Sequence, residues 1–160
     1  MKDLIALSES IINVLKKNKQ TLAAAESCTG GLLSACLTDV PGSSTAFFGG
    51  IIAYDNSVKT DILKVSAQTL MDHGAVSEEC ALEMAASVKS LLHTSASISI
   101  TGIAGPGGGT AQKPVGTVYI AAIYGEQKLV TRYQFQGDRS SVRLNSVKAA
   151  FEQFSSLLLH

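Results

Sequence analysis

Long apolar runs are missing from this sequence, and neither sign of charge is in excess. No stretch approaches the ~18 apolar residues that a membrane-spanning helix needs, and the segment before Lys16 and Lys17 lacks the apolar core of a signal peptide. The 13 basic and 13 acidic residues give a formal net charge of zero, which indicates no nucleic-acid or membrane partner. We therefore expect a cytoplasmic protein.

Cysteine and histidine are also scarce, at three residues each. The cysteines are odd in number and include no Cys-x-x-Cys pair, which favours reduced thiols over disulfides. The histidines are scattered and form no metal-ligand pattern, so we expect neither a metal site nor a His-based catalytic arrangement. The residues concerned are Cys28, Cys36, Cys80, His73, His93 and His160.

Apolar residues, by contrast, make up 46% of the 160-residue chain, which fits one domain over residues 1–160 with a substantial core. Helical and strand patterns alternate early, and a hairpin pattern comes late. This order predicts a three-layer α/β/α fold around a mixed, mostly parallel sheet. The patterns predict helices over 3–18, 29–40, 66–73, 77–93 and from Asp138 toward Leu159, a helix capped by Asn56 or Ser57, and strands over 21–25, 47–54, 96–100, 115–124 and 128–135.

Ser27 lies in the segment Ala-Ala-Glu-Ser-Cys-Thr-Gly-Gly over residues 24–31, directly after a predicted buried strand. Open α/β sheets bind ligands at this end of their strands. Gly30 and Gly31 allow the backbone to approach a substrate, and the free N–H groups of the next helix favour negative charge. Ser27 is therefore a candidate nucleophile, and a helix N-cap is an equally good interpretation. Cys28 is a weaker candidate, because its side chain should point away from that of Ser27.

A serine nucleophile needs a base, and Lys59 is the best candidate in the sequence. If Asn56 caps the next helix, Lys59 lies in the first turn, where the helix dipole disfavours its ammonium form. Partial burial would lower its pKa in the same direction. An ordinary surface lysine is the alternative interpretation. Tyr54, at a strand end, is a candidate for relaying a proton or orienting the pair, and a half-buried strand tyrosine is its alternative.

Residues near the later strands are candidates for contacting the substrate. Thr101 ends a predicted strand, so its hydroxyl can reach the same edge of the sheet. The loop over 101–109, which includes Gly102 and Gly105, lacks both phosphate-binding fingerprints, but its N–H groups can form a concavity for an anion. Arg139, at the start of the last helix, can bind a phosphate or carboxylate or be a solvated first-turn residue. The sequence does not distinguish between the glycine loop and Arg139 as the group that binds an anion.

Six ordered segments, taken together, resemble the CinA C-terminal domain family. They extend over roughly residues 5–155, which is nearly the whole chain, and no single segment would identify the family. The segments are residues 25–31, 54–59, 74–77, 101–106, 113–118 and 135–139.

The resemblance implies a serine–lysine amidase of pyridine nucleotide recycling. Such an enzyme converts nicotinamide mononucleotide (NMN) and water to nicotinate mononucleotide and ammonia. Ser27 matches the family's nucleophile and Lys59 its base, whereas Tyr54 and Thr101 match polar residues that line the site. The resemblance also implies a cytoplasmic enzyme without metal or cofactor, often a homodimer. Many members carry a molybdopterin-binding-like domain before this one. The given sequence shows no such domain, so we expect a stand-alone form here.

The expected mechanism uses backbone N–H groups of the segment after Ser27 to stabilise the oxyanion. Two other functions fit the same residues. One is a nucleotide-binding or regulatory module that keeps the pocket without activity, and the other is an amidase for a different pyridine or nucleotide amide. The residues assigned to the oxyanion are Cys28, Thr29, Gly30 and Gly31.

Overall fold

The computed structural model describes residues 2–160 as a five-stranded sheet with helices on both faces. A short 3-10 helix, Ser43–Thr45, precedes the second strand. The elements in chain order are α1 (Lys2–Lys17), β1 (Leu22–Glu26), α2 (Leu32–Thr38), β2 (Phe47–Ile52), α3 (Asn56–Asp61), α4 (Ala67–His73), α5 (Glu78–Leu91), β3 (Ala96–Gly102), β4 (Thr117–Tyr124), β5 (Gln127–Gln134) and α6 (Arg139–Leu158).

The strands lie in the order β2-β1-β3-β4-β5. Strand β1 is parallel to both of its neighbours, β2 and β3. The hairpin strands add on antiparallel, β4 to β3 and β5 to β4, so β4 alone runs opposite to the other four. The predicted mixed, mostly parallel sheet is confirmed.

Helices cover the two faces of the sheet in separate layers. Helices α2 and α6 contact one face, and α1 packs on both of them, whereas α5 contacts β1, β3, β4 and β5 from the other face. Successive strand residues alternate between the layers. Ala24 lies in the core beneath α1, α2 and α6, whereas Ala23 and Ala25 lie in the core that includes Val88 of α5. The predicted three-layer α/β/α architecture is therefore confirmed.

The three parallel strands end at one edge of the sheet, and this edge places the candidate site. Residues that follow β1, β2 and β3 meet there because the strands pair in register, with Glu26 opposite both Ile52 and Ile100. Segments distant in sequence, around residues 27, 54 and 103, thus become neighbours. No helix within residues 2–160 is both long and apolar enough to cross a membrane.

Two helix starts differ from the prediction. Helix α2 begins at Leu32 rather than residue 29, because Gly30 and Gly31 have positive φ angles of 57° and 99° that a right-handed helix does not accept. Helix α3 is capped by Asp55, whose carboxylate accepts the N–H of Ser57 at 2.9 Å. The expected caps at residues 56 and 57 therefore lie inside the helix.

Candidate active site

The turn over residues 27–31 joins the carboxyl end of β1 to α2. The N–H of Ser27 donates to the carbonyl of Ile100 at 2.9 Å, and its own carbonyl accepts the N–H of Gly30 at 3.1 Å. Ser27 is not the N-cap of α2, because Gly31 takes that position. The helix-cap interpretation of Ser27 is therefore wrong, and its hydroxyl is free for another contact.

That contact is with Lys59, whose ammonium nitrogen Nζ lies 2.9 Å from Ser27 Oγ. The same nitrogen donates to the carbonyls of Ala53 at 2.7 Å and Tyr54 at 3.3 Å. Lys59 is only 2% exposed and Ser27 only 7% exposed. The interpretation of Lys59 as a surface lysine is therefore wrong, and the two residues form a buried hydrogen-bonded pair.

Burial lowers the pKa of Lys59, because removal from water disfavours the ammonium form. Cys80, Cys28 and Asp55 act on this pKa in the opposite direction and more weakly. Lys59 is the fourth residue of α3, and its side chain reaches back to carbonyls that precede the helix. Burial is thus the main reason for the lowered pKa of Lys59.

Two buried cysteines lie in this region, and neither is suited to act as a nucleophile. Burial raises the pKa of both thiols to about 11, for Cys28 and for Cys80. The thiolate is the reactive form of cysteine, and little of it exists at neutral pH with such a pKa. This agrees with the prediction that Cys28 is a weaker candidate nucleophile than Ser27.

A cavity of about 260 Å³ opens next to Ser27. It brings together six of the predicted site residues, and a glycine-rich loop after β3 forms much of its wall. Within residues 2–160, no acceptor takes the backbone N–H of Cys28, Ala104 or Gly105. The lining residues are Ser27, Cys28, Tyr54, Gly102, Ile103, Ala104, Gly105, Gly107, Gly108 and Arg139.

Arg139 connects two walls of this cavity. Its guanidinium donates to the carbonyl of Gly105 at 2.7 Å and to the Tyr54 hydroxyl at 2.8 Å. Tyr54 is 59% exposed, so it is not a half-buried strand residue, and its hydroxyl bonds to Arg139 rather than to the dyad. The two predicted anchors, Arg139 and the glycine loop, are thus direct neighbours.

Besides Lys59, four predicted site residues do not line the cavity. The Thr101 hydroxyl is buried and donates to the carbonyl of Ala75 at 2.8 Å, so it does not enter the site. Thr29 is fully buried behind the turn. Gly30 and Gly31 shape the turn through their positive φ angles without facing the cavity. The structure therefore places these four residues outside the wall of the cavity.

Sequence comparison decides the family of the chain. The model of the CinA C-terminal domain matches residues 4–158. The chain belongs to the CinA C-terminal domain family. The CinA-like protein of Thermotoga maritima is 48% identical over 152 residues, which cover 95% of this chain and 37% of that protein. A putative competence-damage inducible protein of Thermoanaerobacter pseudethanolicus is 45% identical and also covered over 37% of its length. The chain thus spans little more than a third of these relatives.

Solved structures of the CinA superfamily share the whole fold. The competence/damage inducible protein CihA from Agrobacterium tumefaciens superposes with a TM-score of 0.94 at 37% identity, covering 97% of this chain and 95% of that one. The competence damage-inducible protein A from Klebsiella pneumoniae gives a TM-score of 0.95 at 33% identity, with 98% of each chain covered. The chain therefore shares the fold of these two proteins over nearly all of its described length.

In this CinA domain, Glu26 has a role that the sequence analysis did not assign. Its carboxylate is 1% exposed and accepts the N–H groups of Leu33 at 2.9 Å and Ser34 at 3.1 Å. A carboxylate at a helix N-terminus is favoured by the helix dipole. The expectation that the free N–H groups at the start of this helix favour negative charge beside Ser27 is therefore wrong for Leu33 and Ser34, because they donate to Glu26 instead.

Arg143 is the second residue that the sequence analysis missed. Its guanidinium donates to the carbonyls of Cys28 at 3.2 Å and Thr29 at 2.9 Å. The available signal was its spacing of four from Arg139, which places both arginines on one face of α6. Arg143 thus contacts the turn that carries Ser27, whereas Glu26 contacts the start of the helix that follows it.

Two larger cavities, of about 570 and 550 Å³, lie along α5, and neither is lined by Ser27 or Lys59. We assign the candidate site to the smaller cavity because Ser27, the candidate nucleophile, lines it. Within residues 2–160, no three His, Cys, Asp or Glu side chains come close enough together to hold a metal ion.

Proposed function

We propose that this CinA domain hydrolyses the carboxamide of NMN to nicotinate mononucleotide and ammonia with a Ser27–Lys59 dyad. The observation that carries the proposal is the 2.9 Å hydrogen bond between Lys59 Nζ and Ser27 Oγ, made beside an open cavity. A serine becomes a useful nucleophile when an adjacent base removes its proton. The lowered pKa of Lys59 makes more of the neutral amine available for that step.

The dyad supplies both proton transfers of an acyl transfer. Neutral Lys59 takes the proton of Ser27 Oγ as this oxygen bonds to the carboxamide carbon, which gives a tetrahedral oxyanion. Lys59 then returns the proton to the departing nitrogen, and the carbon–nitrogen bond breaks to release ammonia. Water, activated by the same amine, cleaves the resulting ester, which releases the carboxylic acid and restores Ser27.

Backbone N–H groups without partners are suited to stabilise the oxyanion. Cys28, directly after the nucleophile, and Gly105, in the glycine loop, both line the cavity and have no acceptor within the described chain. One well-placed donor contributes about 3–4 kcal/mol to such a transition state. We therefore move part of the expected oxyanion site from residues 29–31 to the glycine loop.

The phosphate of NMN is the substrate's anionic end, and we propose that Arg139 and the glycine loop bind it together. Arg139 lines the cavity and already contacts Gly105. A guanidinium suits a phosphate because it offers several N–H groups in one plane. The homodimer and the cytoplasmic location stay predictions.

Replacement of Ser27 by Ala tests the proposal. We expect ammonia release from NMN to fall to near background, because the nucleophile is gone, while the thermal midpoint stays close to wild type. Ser146→Ala is the matched control, since Ser146 is a fully buried serine that bonds only within α6. It should leave turnover unchanged. Substantial ammonia release by Ser27→Ala would remove Ser27 from the nucleophile role.

The same assay separates the alternative functions. Nicotinamide and NAD are measured beside NMN with the wild-type protein. Ammonia from another amide, with none from NMN, would favour an amidase of different specificity. Retained nucleotide binding without ammonia from any amide would favour the regulatory module.

A further inference from the structure

The hydroxyl of Thr29 makes a buried hydrogen bond that links the nucleophile's turn to Glu26. Thr29 Oγ1 donates to Glu26 Oε1 at 2.7 Å, and Thr29 is fully buried. The residue does not line the cavity, so it has no contact with a substrate bound there. The threonine is two residues after Ser27, in the middle of the turn that Gly30 closes onto Ser27.

Thr29 is held at its backbone as well as at its side chain. Its carbonyl accepts Arg143 from α6 at 2.9 Å, and the same carbonyl accepts the N–H of Leu32 at 3.0 Å. Glu26 in turn is fixed by α2, because its second oxygen accepts both the N–H and the hydroxyl of Ser34. The turn is thus braced against the helix through one carboxylate.

We propose that Thr29 is a positioning residue, which through its hydrogen bond to Glu26 holds the turn so that Ser27 Oγ stays within reach of Lys59 and of the substrate. The catalytic consequence rests on the proposed dyad. A charge-assisted hydrogen bond in a buried site, from which water is excluded, is well suited to hold a backbone turn in place. A displacement of about 1 Å at a nucleophile costs on the order of 10²-fold in rate, so the brace has a measurable effect.

The alternative is that Thr29 and Ser34 merely complete a helix cap. Both hydroxyls donate to the same carboxylate at 2.7 Å, one to each oxygen. They differ in position, since Thr29 belongs to the turn and Ser34 to the third position of α2. A purely structural cap predicts equal consequences for losing either hydroxyl, whereas positioning predicts a catalytic loss only at Thr29.

The test compares Thr29→Val with its matched control Ser34→Ala. Each variant removes one hydroxyl donor from Glu26, so we expect similar losses in the denaturation midpoint. For Thr29→Val we expect kcat for NMN to fall about 10-fold to 100-fold with KM within about twofold, because the cavity lining is intact. For Ser34→Ala we expect kcat near wild type. Thr29→Ser retains the hydroxyl and should restore most of kcat.

Hydrogen–deuterium exchange supplies a readout that needs no activity. Thr29→Val should speed exchange of the amides over residues 28–31, whereas Ser34→Ala should not. Thr29→Ala replaces Thr29→Val if the latter fails to fold. Equal kcat and equal exchange in the two single variants would overturn the proposal.

The two proposals fail in different ways. If the wild-type protein releases no ammonia from any amide, the proposed function fails, and exchange over residues 28–31 alone decides whether Thr29 braces the turn. If the wild-type protein is active and the Thr29 variants match Ser34→Ala, the function stands and the positioning role fails.

Discussion

Within residues 2–160, the buried amine of Lys59 has no acid partner. Its Nζ contacts the Ser27 hydroxyl and two backbone carbonyls, and within residues 2–160 no carboxylate oxygen lies within 4.0 Å of it. An acid partner would stabilise the ammonium form and raise the pKa. Its absence leaves desolvation as the dominant influence, which is what a general base requires.

The activity should therefore depend on the protonation of Lys59. Because burial lowers its pKa below the ordinary 10.5, the ammonium loses its proton at a lower pH than a surface lysine does. We expect kcat/KM to rise with pH along a single limb whose midpoint lies below 10.5, and to level off once Lys59 is neutral. A pH–rate profile with NMN measures the midpoint.

Lys59→Arg is the companion variant, since arginine stays protonated throughout this range. We expect a loss of about 10²–10⁴-fold in kcat/KM and no limb assignable to residue 59. A wild-type profile that is flat in this range, or an active Lys59→Arg variant with the same limb, would contradict the role of Lys59 as base.

At the residue scale, the sequence predicted the pair but not all of its surroundings. Ser27 and Lys59 were predictable because each lies near a strand end or a helix start, where function concentrates. Glu26 was not predictable, because an acidic residue at the end of a buried strand gives no sign of the groups that its carboxylate will contact. Only its distance to α2 in the folded chain explains it. Thr101 lies at the predicted edge of the sheet, but its hydroxyl donates to the carbonyl of Ala75 and does not enter the cavity.

Helix α6 links the site to the core of the protein. Its first turn carries Arg139 at the cavity, the next turn carries Arg143 at the Ser27 turn, and its later turns bury Phe151 and Phe154. Asp138 caps it by accepting the N–H of Ser141 at 2.8 Å, as the sequence predicted. A single rigid element therefore sets both the position of the proposed anchor and that of the nucleophile's turn.

Arg139→Ala tests whether α6 contributes the anionic anchor. We expect KM for NMN to rise about tenfold or more, because loss of a charged partner costs roughly 1.5–3 kcal/mol, with a smaller change in kcat. Lys148→Ala is the matched control, since it removes an exposed charge from the same helix that pairs only with Glu152. Steady-state kinetics measure both, and an unchanged KM in Arg139→Ala would refute the anchor.

At the scale of the whole molecule, the large apolar side chains of the core and Lys59 of the proposed dyad lie in different layers. The layer of α1, α2 and α6 is closed by large apolar side chains, including Phe151 and Phe154. The layer of α5 holds smaller residues and also Cys80, which lies close enough to Lys59 to influence its pKa. Removing a large side chain from the first layer should lower stability and leave the dyad intact.

Phe154→Ala tests this separation. Phe154 is fully buried and packs edge-on against Tyr124 with ring centroids 6.3 Å apart. We expect the free energy of unfolding to fall by about 3–5 kcal/mol, measured by urea denaturation, with turnover per folded molecule retained. Leu159→Ala, at a residue 83% exposed just beyond the same helix, should change stability by less than about 0.5 kcal/mol. A loss of comparable size in both variants would contradict the assignment of the core.

The layers, most element boundaries, the family, and the choice of Ser27 and Lys59 as candidates could be predicted from the sequence, because these follow from local periodicity, capping residues and ordered motifs. The folded chain was needed to show the burial of Lys59, the contact between Arg139 and Gly105, and the brace formed by Glu26, Thr29 and Arg143. Lys59, Arg139 and Arg143 reach these partners only when segments distant in sequence meet at one edge of the sheet, whereas the bond from Thr29 to Glu26 joins residues three apart. Local sequence patterns do not show which residue from a distant segment will contact a given side chain.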